Sequence, residues 1–62
     1  MCELSVYTVT GDVRKKVMES VVRLTPRNGK VLLEGILGEA MEVPGVLTSV
    51  DIVAQEATIA AR

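Results

Sequence analysis

Residues 21–34 read Val-Val-Arg-Leu-Thr-Pro-Arg-Asn-Gly-Lys-Val-Leu-Leu-Glu, and this stretch decides the fold. Val21 to Thr25 alternates, with Val22 and Leu24 inward and Arg23 outward, the period of two expected of a half-buried strand. Pro26, Arg27, Asn28 and Gly29 interrupt it. Asn and Gly both tolerate positive φ, so Asn28-Gly29 between two β-branched runs signals a tight hairpin. Lys30 to Ile36 then returns antiparallel, placing Val31 and Leu33 on the core face and Lys30 and Glu34 outside. Leu32 shares that outer face; it is either a single exposure or part of a second surface covered by another chain.

Working outward, Glu3 to Thr10 sets Leu4 and Val6 on one face and Ser5 and Tyr7 on the other, a first strand that Gly11 and Asp12 end. Val13 to Met18 carries mixed charges around Val17 and reads as a short strand or an irregular connection. A helix over Val13 to Leu24 would align Val17, Val21 and Leu24, but its β-branched positions lose rotamer freedom in a helix. Beyond the hairpin, Gly35 and Gly38 bracket Ile36 and Leu37 and mark a bulge or sharp bend. Glu39 to Val43 makes a short strand with Met41 and Val43, and Pro44-Gly45 forms a turn. Val46 to Val53 continues with Val50 and Ile52 facing in and Asp51 out; Gln55 and Glu56 lead into Ala57 to Ala61, anchored by Ile59.

These readings give an all-β chain of five to seven short strands. Short strands with tight turns need closure to protect their edges, so the expected architecture is a small curled antiparallel barrel. Its expected core is Leu4, Val6, Val22, Leu24, Val31, Leu33, Val43, Val50, Ile52 and Ile59.

At 62 residues the chain has room for one domain, 1–62, and for a core that leaves stability marginal without a supplement. Cys2 is the lone cysteine and histidine is absent, so neither an intrachain disulfide nor a conventional closed zinc site is available. A partner subunit is the remaining supplement, and Tyr7, Leu32 and Leu37 are apolar positions that one small core cannot all cover. A homodimer follows as the expectation. The balance of 7 basic against 8 acidic residues offers no field for phosphates, and with Tyr7 as the sole aromatic a base-stacking platform lacks its parts. Arg14, Lys15 and Lys16 form the only basic run, read as a solvated turn or strand edge, with a nucleic-acid contact as the alternative. No apolar run is long enough to span a bilayer and no targeting segment opens the chain, so with a free thiol the cytoplasm is the expected compartment.

Catalytic groups are sparse. Without histidine a His-dependent triad or general base is impossible, Ser5, Ser20 and Ser49 have no activator, and the carboxylates are scattered singly. An enzyme is not expected. The Gly35 to Gly38 G-x-x-G spacing lacks the strand-to-helix setting and basic surface of a phosphate or RNA clamp, and it reads as a bend. Cys2 has more to offer. A terminal thiolate with an adjacent amine, freed by loss of Met1, or with a deprotonated main-chain amide, chelates a soft, nitrogen-tolerant metal. One chain supplies half of a four-coordinate site, and two chains about a two-fold axis would complete S₂N₂. Square-planar coordination would favour Ni(II) or Cu(II), and tetrahedral coordination zinc.

Met1-Cys2-Glu3, the first strand at Leu4 to Thr10, the Val21 to Leu24 strand, Asn28-Gly29, Glu42-Val43-Pro44-Gly45 and Val50-Asp51-Ile52 together resemble the CooT family. This family comprises small nickel-binding accessory proteins of carbon monoxide dehydrogenase maturation, and the resemblance runs over essentially the whole chain. It implies a homodimer of SH3-like or Sm-like β-barrels holding one Ni(II) at the interface through Cys2 of both protomers. The implied ligands are the Cys2 thiolate and the main-chain nitrogen of Glu3, and the implied role is a metallochaperone or nickel store with a nickel enzyme such as carbon monoxide dehydrogenase as client. Related chains have been labelled RNA-binding from their fold; a metal-free adaptor for RNA or protein, contacting through Arg14, Lys15 and Lys16, is the alternative function.

Overall fold

Six strands carry most of residues 3–61, the part of the chain that the computed structural model describes. They are β1 (Leu4–Thr10), β2 (Val13–Arg27), β3 (Lys30–Gly35), β4 (Ala40–Pro44), β5 (Val46–Asp51) and β6 (Glu56–Ala60). They form one sheet in the order β4-β3-β2-β1-β6-β5. The all-β, barrel-like reading holds. The sheet is strongly curled but not closed by hydrogen bonding, and the corner at Gly45 joins its two edge strands, where the Gly45 N–H donates to the Gly29 carbonyl at 2.8 Å. Gly45 has φ +142°, and a Cβ there would collide with the Ala60 carbonyl and lie 2.8 Å from Ile59 Cγ2, so no other residue fits this corner. Four of the pairings are antiparallel, while β1 and β6 pair in parallel, Ser5 beside Glu56 through Val9 beside Ala60.

The Asn28-Gly29 hairpin forms as read: Arg27 pairs with Lys30, and Asn28 and Gly29 take φ +50° and +78°, as a type I′ turn requires. Val13 to Met18, left open between strand and irregular chain, is the first half of β2. Fifteen extended residues would run about 50 Å, yet the longest dimension of the molecule is 31 Å. The strand therefore bends. Register shifts break its pairing with β1 between Leu4 and Val6 and between Val6 and Tyr7, and its pairing with β3 between Val21 and Arg23. Ser20 sits at the bend with φ +57°. Its carbonyl accepts the Ile36 N–H at 3.0 Å, which ties the bend to the end of β3.

Buried completely or nearly so are Val6, Val21, Val31, Leu33, Val43, Ala57 and Ile59, with Leu4, Val17, Met18, Leu24 and Leu47 packed around them. Three expected core positions differ. Val22 is the extra residue of the β2 bulge, so Val21 takes the inward place and Val22 is 48% exposed. On β5 a bulge falls between Leu47 and Ser49, and the Thr48 hydroxyl donates to the Thr58 carbonyl at 3.1 Å. Val50 then faces the small Ala57 on an edge strand with nothing beyond it, and remains 44% exposed. Ile52 lies past the end of β5 in the turn 52–55 and is also exposed. Leu4 and Leu24 are half-buried. Leu32, whose role was open, is half-buried between its cross-strand neighbours Thr25 and Glu42, with Arg27 and Lys30 beside it.

The adjacent valines report the register directly. Val21→Ala is expected to cost about 2 kcal/mol in urea unfolding and Val22→Ala no more than about 0.5 kcal/mol. Leu33→Ala, at a site with no solvent exposure, should cost about 2–5 kcal/mol. Equal losses at the two valines would contradict the bulge.

Candidate functional site

Cys2, the thiol singled out above, lies outside the described residues; Glu3, the other expected ligand position, is within them. Glu3 is half-buried and immediately precedes β1, whose first residue Leu4 stands opposite Val21 on β2. On the other side the Ser5 N–H donates to the Gln55 carbonyl at 2.9 Å, so the entering chain is fastened to the turn 52–55. That turn is built by Asp51, whose Oδ1 accepts the Ala54 N–H at 3.0 Å, and by Gln55 at φ +58°. Reading Val46 to Val53 as one strand missed it. The available signal was Asp51 placed three residues before Ala54, the spacing at which an Asp side chain caps its own turn.

The segments that pair with the start of β1 carry exposed apolar side chains. Ile52 is 57% and Val53 97% exposed, while the exposed Val22 follows the residue opposite Leu4. The carboxylates nearby in the strands are engaged: Asp51 with the Ala54 N–H, and Glu56 with the Arg14 guanidinium at 3.0 Å. No group of three or more Cys, Asp or Glu that could hold a metal occurs among the described residues. The described side chains alone thus present no ready-made metal-binding cluster at this end. The donor types expected, a thiolate and a main-chain nitrogen, suit a soft or borderline ion such as Ni(II) without needing a carboxylate cluster.

The basic run is taken apart by its own strand. Arg14, Lys15 and Lys16 all lie on β2, so alternation sends Arg14 and Lys16 to the face of Tyr7 and Lys15 to the other. Arg14 Cζ stacks 3.7 Å from the Tyr7 ring centroid, and Lys16 Nζ stands 5.9 Å from it. Lys16 also bonds Glu19 at 2.8 Å. That hydrogen bond and the attached charge hold the Lys16 ammonium above its ordinary range and the Glu19 carboxyl below its own. Two of the three cations thus have acidic partners already, and Tyr7 is covered by Arg14 rather than offered to a base. Two open grooves, of about 540 and 380 Å³, line other parts of the surface, and neither includes Glu3 or the 52–55 turn.

Comparison with known proteins adds a family and a solved relative of the same fold. The family described as "CO dehydrogenase accessory protein CooT" matches residues 1–60. Among solved structures, one described as "putative CooT from Carboxydothermus hydrogenoformans" is similar at a TM-score of 0.87 and 26% identity, covering 98% of each chain. No curated protein matches.

The stacking of Arg14 on Tyr7 should be worth more than the exposed ion pair beside it. Arg14→Ala is expected to lower stability by about 0.5–1 kcal/mol in urea unfolding, and most of that loss should persist at about 1 M salt, where the Glu56 pair is screened. A loss that vanishes in salt would assign it to the ion pair instead.

Proposed function

The chain belongs to the CooT family of carbon monoxide dehydrogenase accessory proteins, and from that footing we propose that it is a nickel carrier or store: two copies hold one Ni(II) and supply it to a nickel enzyme. The ligands are the Cys2 thiolate and the Glu3 main-chain nitrogen of each copy. The observation that carries this reading is the family match over residues 1–60, which takes in Cys2 and Glu3. Each chain contributes one soft donor and one nitrogen, and a two-fold axis doubles them into S₂N₂, a set that square-planar Ni(II) accepts well. Nickel is the cargo here. The chain itself turns over no substrate; it works in the reducing cytoplasm, where the thiol stays available, and its client is an apo form of carbon monoxide dehydrogenase.

A metal-free RNA adaptor is disfavoured by the division of Arg14, Lys15 and Lys16 between two faces and by the acidic partners of two of them. Phosphate binding needs cations that face one backbone together and are free to displace counterions.

Native mass spectrometry and ultraviolet absorption during nickel titration test the proposal. The expected result is one Ni(II) per two chains with thiolate charge-transfer bands, lost in Cys2→Ser. Each ligand must shed a proton before it binds, so affinity should fall as pH is lowered and protons should be released on binding. Retention of tight nickel binding in Cys2→Ser would refute the ligand assignment.

A further inference from the structure

We propose that the groove beside the Asn28-Gly29 hairpin receives a short, extended acidic segment of another protein, with its carboxylates on Arg27 and Lys30 and its main chain along the open start of β5. The proposal draws on no metal and lies away from the amino-terminal end of the sheet. Along β2, Arg27 is about 20 Å beyond Val21, the residue that stands opposite Leu4.

Charge supplies the first step. Arg27 and Lys30 close the hairpin directly opposite each other, and a like-charged cross-strand pair works against the pairing of its own strands. Glu42 answers Lys30 at 3.5 Å, and Arg14, Lys16 and Arg23 have Glu56, Glu19 and Glu34. Arg27 has no such partner among the described residues. One glutamate therefore serves two cations, and the exposed Arg27 guanidinium offers its planar fork to a carboxylate from outside.

The walls of the groove supply the second. It encloses about 380 Å³ between these cations and the first residues of β5, and Pro26, Val46 and Leu47 make its apolar part. The β5 wall is an open sheet edge. The residues on either side of β6 bond to β1, the Gln55 carbonyl accepting from Ser5 and the Ala61 N–H donating to Val9. Sides alternate along a strand, so Ala60 turns its polar groups to Val46 while Ile59 turns its own away from Leu47. The Leu47 N–H and carbonyl consequently face off the sheet, within reach of an extended chain. The bulge between Leu47 and Ser49 then bends the edge away, so a short segment fits here and a long added strand does not. Two cations without an aromatic ring beside them make a poor site for nucleic acid, which needs many phosphate contacts and surfaces on which bases stack. An apolar wall beside a free main-chain edge suits a polypeptide.

Amide nuclear magnetic resonance of the full chain, titrated with a short peptide of alternating Glu and Val and with its Gln counterpart, tests the assignment. The Glu peptide should shift the amides of residues 27–30 and 45–47 with a dissociation constant of about 1 mM or tighter, and the Gln peptide should bind at least about three-fold more weakly. Arg27→Gln should weaken the Glu peptide by a similar factor while leaving the urea midpoint unchanged or higher, since it relieves the opposition to Lys30. Lys15→Gln, which removes a cation from the other half of β2, should leave peptide binding unchanged. Equal affinity for the two peptides, shifts confined to other residues, or unaltered affinity in Arg27→Gln would overturn the proposal. Inorganic phosphate that shifts the same amides as strongly as the peptide would make the groove an unselective anion site, and shifts that grow with protein concentration alone would give it to a second copy; either result overturns the acidic segment as its occupant.

Discussion

The bend of β2 at Ser20 organises everything else. A fifteen-residue strand that stayed straight would be a ribbon with no interior, and its apolar residues would lie along a line. The left-handed backbone at Ser20, with register shifts on either side, makes the strand two strands in effect, one half paired to β1 and the other to β3. A non-glycine residue at positive φ costs about 1 kcal/mol or more, and the surroundings hold it there: the Ser20 carbonyl accepts the Ile36 N–H while Val21 beside it is fully buried. Because the two halves turn toward each other, Val21, Val31 and Leu33 from one side meet Val6, Ala57 and Ile59 from the other. The same bend sets Leu4 opposite Val21 and so fixes where the amino terminus enters the sheet.

Much of this is legible from sequence because the signals are local. Asn28-Gly29 can hardly be anything but a hairpin tip, and with that register fixed Val31 and Leu33 must face inward together. Bulges are harder to see. Val21 and Val22 are chemically identical, and counting by twos from Leu24 selects Val22; only the extra residue in the β2–β3 pairing transfers burial to Val21. The same slip at Thr48 and the open edge beside β5 leave Val50 exposed despite its correct side-chain type. The parallel pairing of β1 with β6 was beyond local reading altogether, since strands from opposite ends of the chain carry no turn that declares their partner.

For the candidate site the division is different. Cys2 and Glu3 stand out by residue type and position, and recognition of their family came from motifs spread along the chain. What sequence reading missed is the turn to which the start of β1 is fastened. Ile52 and Val53 looked like the inward and outward faces of a strand end, whereas the Asp51 side chain ends the strand and presents both on a turn. The basic run, conversely, looked like a patch and is a pair of faces, with Tyr7 serving as the platform for Arg14.

Among the described residues the core is seven buried side chains, the largest a leucine and an isoleucine, which leaves little apolar area with which to stabilise so short a chain. On the proposed reading, pairing of two copies and metal binding become one equilibrium. In that proposal each chain alone holds half of the ligands, and each pair completes the set. Nickel that binds only the paired form favours pairing by mass action, and separation of the pair splits the ligand set and releases the ion. A site divided between two chains would give such a carrier a defined release step, because parting the chains leaves each with only two of the four donors and the ion is then held less tightly.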